Sequence, residues 1–382
     1  MLERLRPIAE AAVSSGVTPG GVVAVRDRGA VETMAFGRTH GDATAGETVT
    51  EETVYDVASL TKPVASLAVF LRLWEGGAVE PAARATALVP ELTARGGDSV
   101  ALAHLLGHAA GFPDYLPFYQ RLWAGERAGA ASAREALVRM AGETALLAPP
   151  GTTARYSDIG YILLGAALER AGNRRLDELA RALVFDPLGM TATGFVDLER
   201  PHPAGPITGV APTEVCPRRG LVWGEVHDEN AHAAGGIAGH AGLFSTAGDL
   251  ARFAAAMNAA VRGDRGLFDA ERARRLATTP SVPGSTWRLG WDTPSPTLGV
   301  SHAGDRWPRD GFGHLAFTGC SMWLDPPRDR AVVLLTNRVH PTRNGSGIRE
   351  LRRAVMDGVV DALDGANGRQ AGAGPGDRTG RS

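Results

Sequence analysis

The sequence predicts an α+β fold, from the way its strand-like and helix-like patterns are distributed along 382 residues. Strand patterns lie near both ends, and helical spacing broken by Pro/Gly loops fills the chain from about 75 to 280. This arrangement suggests one α/β layer closed by the two termini, 1–75 and 281–364, with a mostly helical region, 76–280, inserted between them. A polar, Gly-rich tail, 365–382, has nothing to bury and is expected to be disordered.

Each element has its own local reason. Residues 2–14 carry the spacing of an amphipathic helix. The runs 20–27 and 30–36 read as two strands joined at the Asp27-Arg28-Gly29 turn signal, hence a hairpin. Helical spacing then returns from Ser59 to Trp74 and stops at Gly76-Gly77. Proline is tolerated only in a first turn, so Pro63 places the start of this helix at about Ser59. Further helices are expected over 99–107, 132–141, 158–171, 175–184, 247–261 and 268–276. Strands are expected over 286–292, 315–325 and 330–336, and a last amphipathic helix over 347–363. The GAGPG of the tail follows no strand and is not a nucleotide fingerprint.

Composition narrows the function classes. With 40 basic and 42 acidic residues the net charge is -2, so no basic field favours nucleic acid. No stretch approaches the ~18 uninterrupted apolar residues that span a bilayer, and no membrane partner is expected. The first residues carry Glu3, Arg4, Arg6 and Glu10 where a secretory signal needs an apolar run. Cys216 and Cys320 are too few and too far apart for a disulfide framework. A cytoplasmic setting with free thiols is the expectation.

Of the 40 basic residues, 39 are arginine and one is lysine, Lys62. Arginine replaces a surface lysine in almost every role except one, since it does not lose its proton. A lone lysine in such a background is therefore a candidate for amine chemistry, unless its survival is chance. Its position favours chemistry. Ser59-Leu60-Thr61-Lys62 puts a hydroxyl and an amine three residues apart at a helix start, on one face. A desolvated lysine can activate the serine as a nucleophile, and the helix N-terminus offers N–H groups to a developing oxyanion. Alone, Ser-x-x-Lys is a weak pattern; here the serine opens an apolar helix.

With these residues the chain resembles the serine β-lactamase and penicillin-binding-protein superfamily. The branch is that of class C-like β-lactamases, D-alanyl-D-alanine carboxypeptidases, esterases and acyltransferases. The likeness spans about 15 to 362. Its first motif matches Ser59-Leu60-Thr61-Lys62, and its second, Tyr-x-Asn or Tyr-x-Asp, matches Tyr156-Ser157-Asp158. LLGHAAGFPDY at 105–115, DPLGMTATGF at 186–195 and the segment 226–253 agree in the same order. The resemblance implies a β-lactamase/transpeptidase-like fold, an antiparallel sheet flanked by helices. It implies that Ser59 is the nucleophile, Lys62 its base and Tyr156 a proton-exchanging phenol. Asp158 is implied to fix the lysine, although aspartate there also suits a helix cap.

The third motif departs from the family's Lys-Thr-Gly or His-Thr-Gly. Here stands His314-Leu315-Ala316, followed by Phe317-Thr318-Gly319. The first register makes His314 an electrostatic partner of Tyr156 and gives the oxyanion hole as the N–H groups of Ser59 and Phe317. The second would make Thr318-Gly319 the motif. In the preferred first register the threonine that helps hold a substrate carboxylate is missing, which weakens the case for penicillin or a free-carboxylate peptide. Asp228 and Asn230 are candidate substrate contacts. His227, His232 and His240 lie close in sequence but lack metal-ligand spacing, and read as pocket wall. His104 and His108 read as structural, and Trp223, Trp287, Trp291 and Trp323 as core. Neither a metal nor another cofactor is expected.

The function expected is acyl transfer through an acyl-Ser59 intermediate on a small ester or amide, a peptide or muropeptide among the candidates. Water as acceptor makes it a hydrolase; an amine or alcohol makes it a transacylase. A non-catalytic sensor or scaffold would predict decay of the motif residues, and Ser59, Lys62 and Tyr156 are retained. An α/β-hydrolase is excluded, because no Gly-x-Ser-x-Gly elbow occurs.

Overall fold

The computed structural model describes residues 1–41, 46–126, 131–200 and 209–371. Strands β1 (Gly20–Asp27) and β2 (Ala30–Gly37) form the expected hairpin, with Arg28 at φ 48° and Gly29 at φ 90° in its turn. The short strands β3 (Tyr55–Asp56), β4 (Gly194–Phe195), β5 (Val215–Cys216), β6 (Gly220–Leu221) and β7 (Leu243–Ser245) follow. The chain then returns through β8 (Phe312–Leu315), β9 (Ser321–Asp325) and β10 (Arg330–Thr336).

The main sheet runs β2-β1-β10-β9-β8, every neighbour antiparallel, so the two ends of the chain share one sheet. Its register sets Val23 against Leu334 and Gly313 against Trp323. The central strands are apolar on both faces, as a strand covered on both sides must be. Val22, Ala24, Val333 and Leu335 enter a core shared with the helices Ala68–Glu75, Asp158–Gly172 and Ala247–Arg262. Val23, Val25, Val332 and Leu334 enter a second core with Leu5, Ala9, Val355 and Val359 of the terminal helices. Each fully buried Val or Leu contributes about 1.5–3 kcal/mol.

Three expected strands or ends differ. The segment 286–292 forms no strand and, among the described residues, takes part in β-pairing only through the isolated bridges Pro280–Arg288 and Asp292–Gly313. Gly290 at φ 97° breaks its extended path, and a Cβ there would meet Leu67 at 2.7 Å. The run 315–325 is not one strand but β8, a tight turn at 316–319 and β9. Gly319, at φ 108°, closes that turn where a side chain would strike the Thr336 hydroxyl. The last helix runs Ile348–Ala371, seven residues into the expected tail, since extending an existing helix is cheap and no proline intervenes. Residues 372–382 lie outside the described residues. No helix among the described residues is long and apolar enough to cross a membrane.

Candidate active site

Strand β3 delivers the chain into the Ser59 turn. Ala58 has φ 42°, a left-handed conformation that costs a non-glycine residue on the order of 1–3 kcal/mol. Both sides of the strained residue are tied down. The Asp56 carboxylate accepts the Ala58 N–H at 2.8 Å, and the Thr61 hydroxyl donates to the Ala58 carbonyl at 2.6 Å. A short 3-10 turn, Ala58–Leu60, leads into a wide π-helical turn, Lys62–Leu67, and only then into the α-helix Ala68–Glu75. The expected helix start at Ser59 therefore holds, but its first two turns are irregular, as is common at functional sites.

The irregular start brings four side chains together. Lys62 Nζ lies 3.1 Å from Ser59 Oγ, 2.7 Å from Asp158 Oδ1 and 3.0 Å from the His240 carbonyl. The Tyr156 hydroxyl is 2.7 Å from Ser59 Oγ and donates to Asp158 Oδ1 at 3.1 Å. Lys62 is fully buried. Burial pulls its pKa below the ordinary lysine range, against the opposite pull of Asp158. Burial, then the charge of Asp158, holds the Tyr156 phenol well above its usual range.

Capping explains how Asp158 becomes available. The helix Asp158–Gly172 is capped by Ser157, whose hydroxyl accepts the Gly160 N–H at 3.3 Å. Asp158, the next residue, is thus left to face Lys62 rather than its own backbone. His108, read as structural, lies directly behind this motif. Its Nδ1 accepts the Ser157 N–H at 3.1 Å, and its ring centroid is 4.7 Å from that of Tyr156.

β8 supplies the opposite wall, with His314, Leu315, Ala316 and Phe317 on the cavity. Thr318 is fully buried and donates to the Asp56 carbonyl at 2.8 Å, so it does not face the cavity. The first register, His314-Leu315-Ala316, is the one that borders the site. His314 differs from its expected electrostatic part. Its Nδ1 donates to the Leu315 carbonyl at 2.8 Å. Burial, then Lys62, lowers its pKa to about 3, so it is uncharged at neutral pH. It offers the acceptor Nε2, not a positive charge.

A beta-lactamase family model matches residues 5–356. The chain belongs to the beta-lactamase family. An Escherichia coli (strain K12) protein provisionally named a D-alanyl-D-alanine carboxypeptidase is 31% identical over 321 residues, 76% of this chain and 70% of that protein. EstCE1, described as a hydrolase with promiscuous acyltransferase activity, superposes with TM-score 0.72 at 22% identity, covering 94% of this chain and 97% of that one. A class C beta-lactamase superposes with TM-score 0.69 at 18% identity, covering 95% and 96%. The protein is a serine enzyme of this Ser-x-x-Lys type, and its antiparallel sheet with flanking helices is the beta-lactamase/transpeptidase fold.

In this beta-lactamase family member the site opens into a cavity of about 620 Å³. Several of its walls went unread in the sequence. Tyr115, Tyr119, Trp287 and Arg343 line it, and Trp287, expected in the core, instead lies 5.7 Å from the Tyr156 ring. Asp228 borders the cavity as expected. Its Oδ1 is 2.9 Å from His240 Nε2 and accepts the Ala231 N–H. Asn230 does not reach the cavity. It is buried, accepting the Tyr119 N–H at 2.8 Å and donating to the Leu116 carbonyl at 2.9 Å, so it staples the loop that carries Tyr115.

The three close histidines each meet a different carboxylate: His227 with Glu214, His232 with Glu225 and His240 with Asp228. Among the described residues no group of three or more His, Cys, Asp or Glu side chains is gathered as a metal site needs. The His227 ring stacks on Phe317, at 5.7 Å and 22°. The Asp56 carboxylate also accepts the His227 N–H at 2.7 Å. Asp56 thus joins three parts of the site: the Ser59 turn, the His227 loop and, through its carbonyl, the turn that holds Phe317.

Proposed function

We propose that this protein is an acyl hydrolase acting on a small ester or amide through an acyl-Ser59 intermediate. The observation that carries the reading is the buried Lys62 amine, 3.1 Å from Ser59 Oγ and held by the carboxylate that also holds Tyr156. Lowered by burial, Lys62 is available as the free amine that takes the Ser59 proton as Oγ attacks the carbonyl. Tyr156, protonated because its pKa is raised, gives its proton to the leaving oxygen or nitrogen. The proton on Lys62 then restores the phenol. The N–H groups of Ser59 and Phe317 receive the developing oxyanion. Among the described residues, the Phe317 amide has no backbone or side-chain acceptor, which supports this role.

Water as second substrate completes hydrolysis. Transfer to an alcohol or amine is the second reading, and the described acyltransferase activity of EstCE1 favours keeping it. Peptides and muropeptides remain within the substrate class, on the strength of the carboxypeptidase names of relatives. Leu315-Ala316 in place of Thr-Gly argues for neutral esters ahead of free carboxylates.

The deciding experiment follows a chromogenic ester in water and with added alcohol or amine. Free acid as the main product supports the hydrolase. Acylated alcohol or amine as the main product, at acceptor concentrations far below that of water, would replace it with the transacylase.

A further inference from the structure

Arg352 lies on the helix Ile348–Ala371 and points into the sheet. It is 5% exposed, and among the described residues no carboxylate forms an ion pair with it. Instead its guanidinium donates to three main-chain carbonyls of one turn: Ala316 at 2.6 Å, Cys320 at 2.9 Å and Gly319 at 3.1 Å. Burying a cation without a counter-ion is costly, and such groups are ordinarily paired. A cation buried at that cost directly behind the wall of a site calls for a function.

The covalent geometry of the peptide suggests one. The Ala316 carbonyl and the Phe317 N–H belong to the same planar peptide group and point in opposite directions. A guanidinium bound to the carbonyl fixes the plane from behind and polarises the N–H in front, because hydrogen bonds in series strengthen one another. The rest of the turn is held by its own bonds, Gly319 N–H to the Ala316 carbonyl at 3.1 Å and Ala316 N–H to the Cys320 carbonyl at 2.8 Å. The Thr318 hydroxyl anchors it to Asp56 at 2.8 Å. Arg338 Nε holds the Phe317 carbonyl of the turn at 2.9 Å, and among the described residues Arg352 is the one charged group bound to the carbonyls of Ala316, Gly319 and Cys320.

We infer that Arg352 is a positioning residue for acyl transfer, orienting and polarising the Ala316–Phe317 peptide whose N–H receives the oxyanion. The inference rests on the proposed acyl-Ser59 chemistry. It assigns part of that chemistry to a buried charge that touches no substrate.

The test compares wild type with Arg352→Met and Arg352→Lys. It measures kcat and KM on one activated ester and the infrared carbonyl stretch of the acyl-enzyme. Losing an oxyanion donor outright costs about 10²–10³ in kcat. Weakening one should cost about tenfold to a hundredfold, with KM little changed and the acyl carbonyl band moved to higher frequency. Lysine keeps a charge but cannot span three carbonyls, so Arg352→Lys should fall between the other two; it carries the test if Arg352→Met does not fold. A folded variant with wild-type kcat and an unmoved band overturns the inference. So does a lower kcat with an unmoved band, which marks Arg352 as structural only. Failure of wild type itself to form an acyl-enzyme would instead overturn the proposed function.

Discussion

On one side of the cavity, Ser59, Lys62, Tyr156 and Asp158 are joined by hydrogen bonds of 2.7 to 3.1 Å, and each residue is the one the family motif calls for. On the other side β8 offers an uncharged His314, then Leu315 and Ala316, where relatives carry a hydroxyl and a glycine. The difference separates two tasks. In the proposed reaction the first wall moves protons, and its geometry tolerates little change, because Lys62 is fully buried and each of the four groups uses its neighbours as partners. The second wall has two parts there: the Phe317 N–H meets the reacting carbonyl, and Leu315 with Ala316 meets the part of the substrate that does not react. On this proposal proton transfer belongs to the helix side, while the strand side combines one oxyanion donor with substrate preference.

The largest effect is expected where the proton-moving wall is broken. Lys62→Arg keeps the positive charge and removes the releasable proton, so acylation should fall on the order of 10²–10⁴-fold. Stopped-flow acylation with an activated ester measures it, with circular dichroism to confirm folding. Wild type should show a rate that rises with pH through a pKa below lysine's ordinary 10.5, since burial lowers that of Lys62. The same shift fixes the sign for stability. The Lys62 contribution is complete above the unfolded value of about 10.5 and is lost as pH falls through the lowered folded value.

Rebuilding the strand wall should have a smaller and more selective effect. Leu315→Thr with Ala316→Gly restores the family triplet. It should raise kcat/KM for carboxylate-bearing esters over neutral ones by about tenfold to a hundredfold, the worth of one hydrogen bond to a charged group at about 1.5–3 kcal/mol. An unchanged ratio would mean that selectivity lies elsewhere, with Arg343 the next residue to vary. The smallest effect on activity is expected from Asn230→Ala. It leaves the Tyr119 N–H and Leu116 carbonyl without their partner, a cost of about 1–3 kcal/mol in thermal or denaturant unfolding. Turnover of a small ester should change little.

The two walls were also unequally legible in the sequence. Ser59 with Lys62, and Tyr156 with Asp158, lie two or three residues apart beside helix starts, so local spacing alone brings them to one face. The lone lysine among 39 arginines marks the candidate base in the sequence itself. Tyr115, Tyr119, Trp287 and Arg343 reach the cavity from separate segments, through packing that no local pattern records. On sequence Asn230 is a candidate substrate contact, whereas its side chain serves as a backbone staple; an amide suits both tasks equally. The sheet strands 20–27, 30–36 and 330–336 stood out as apolar runs bounded by turn signals. The run 315–325 did not reveal the turn inside it. Thr318-Gly319 there offers only the second, less favoured register of the third motif, and the arginine that holds the turn lies on a helix more than thirty residues further on.

Intact-protein mass spectrometry after incubation with an activated ester tests the central claim most directly, with wild type and Ser59→Ala side by side. The account predicts one acyl adduct on wild type, mapped to the peptide containing Ser59, and none on the variant. No adduct on wild type with any acyl donor, or an equal adduct on Ser59→Ala, would contradict it.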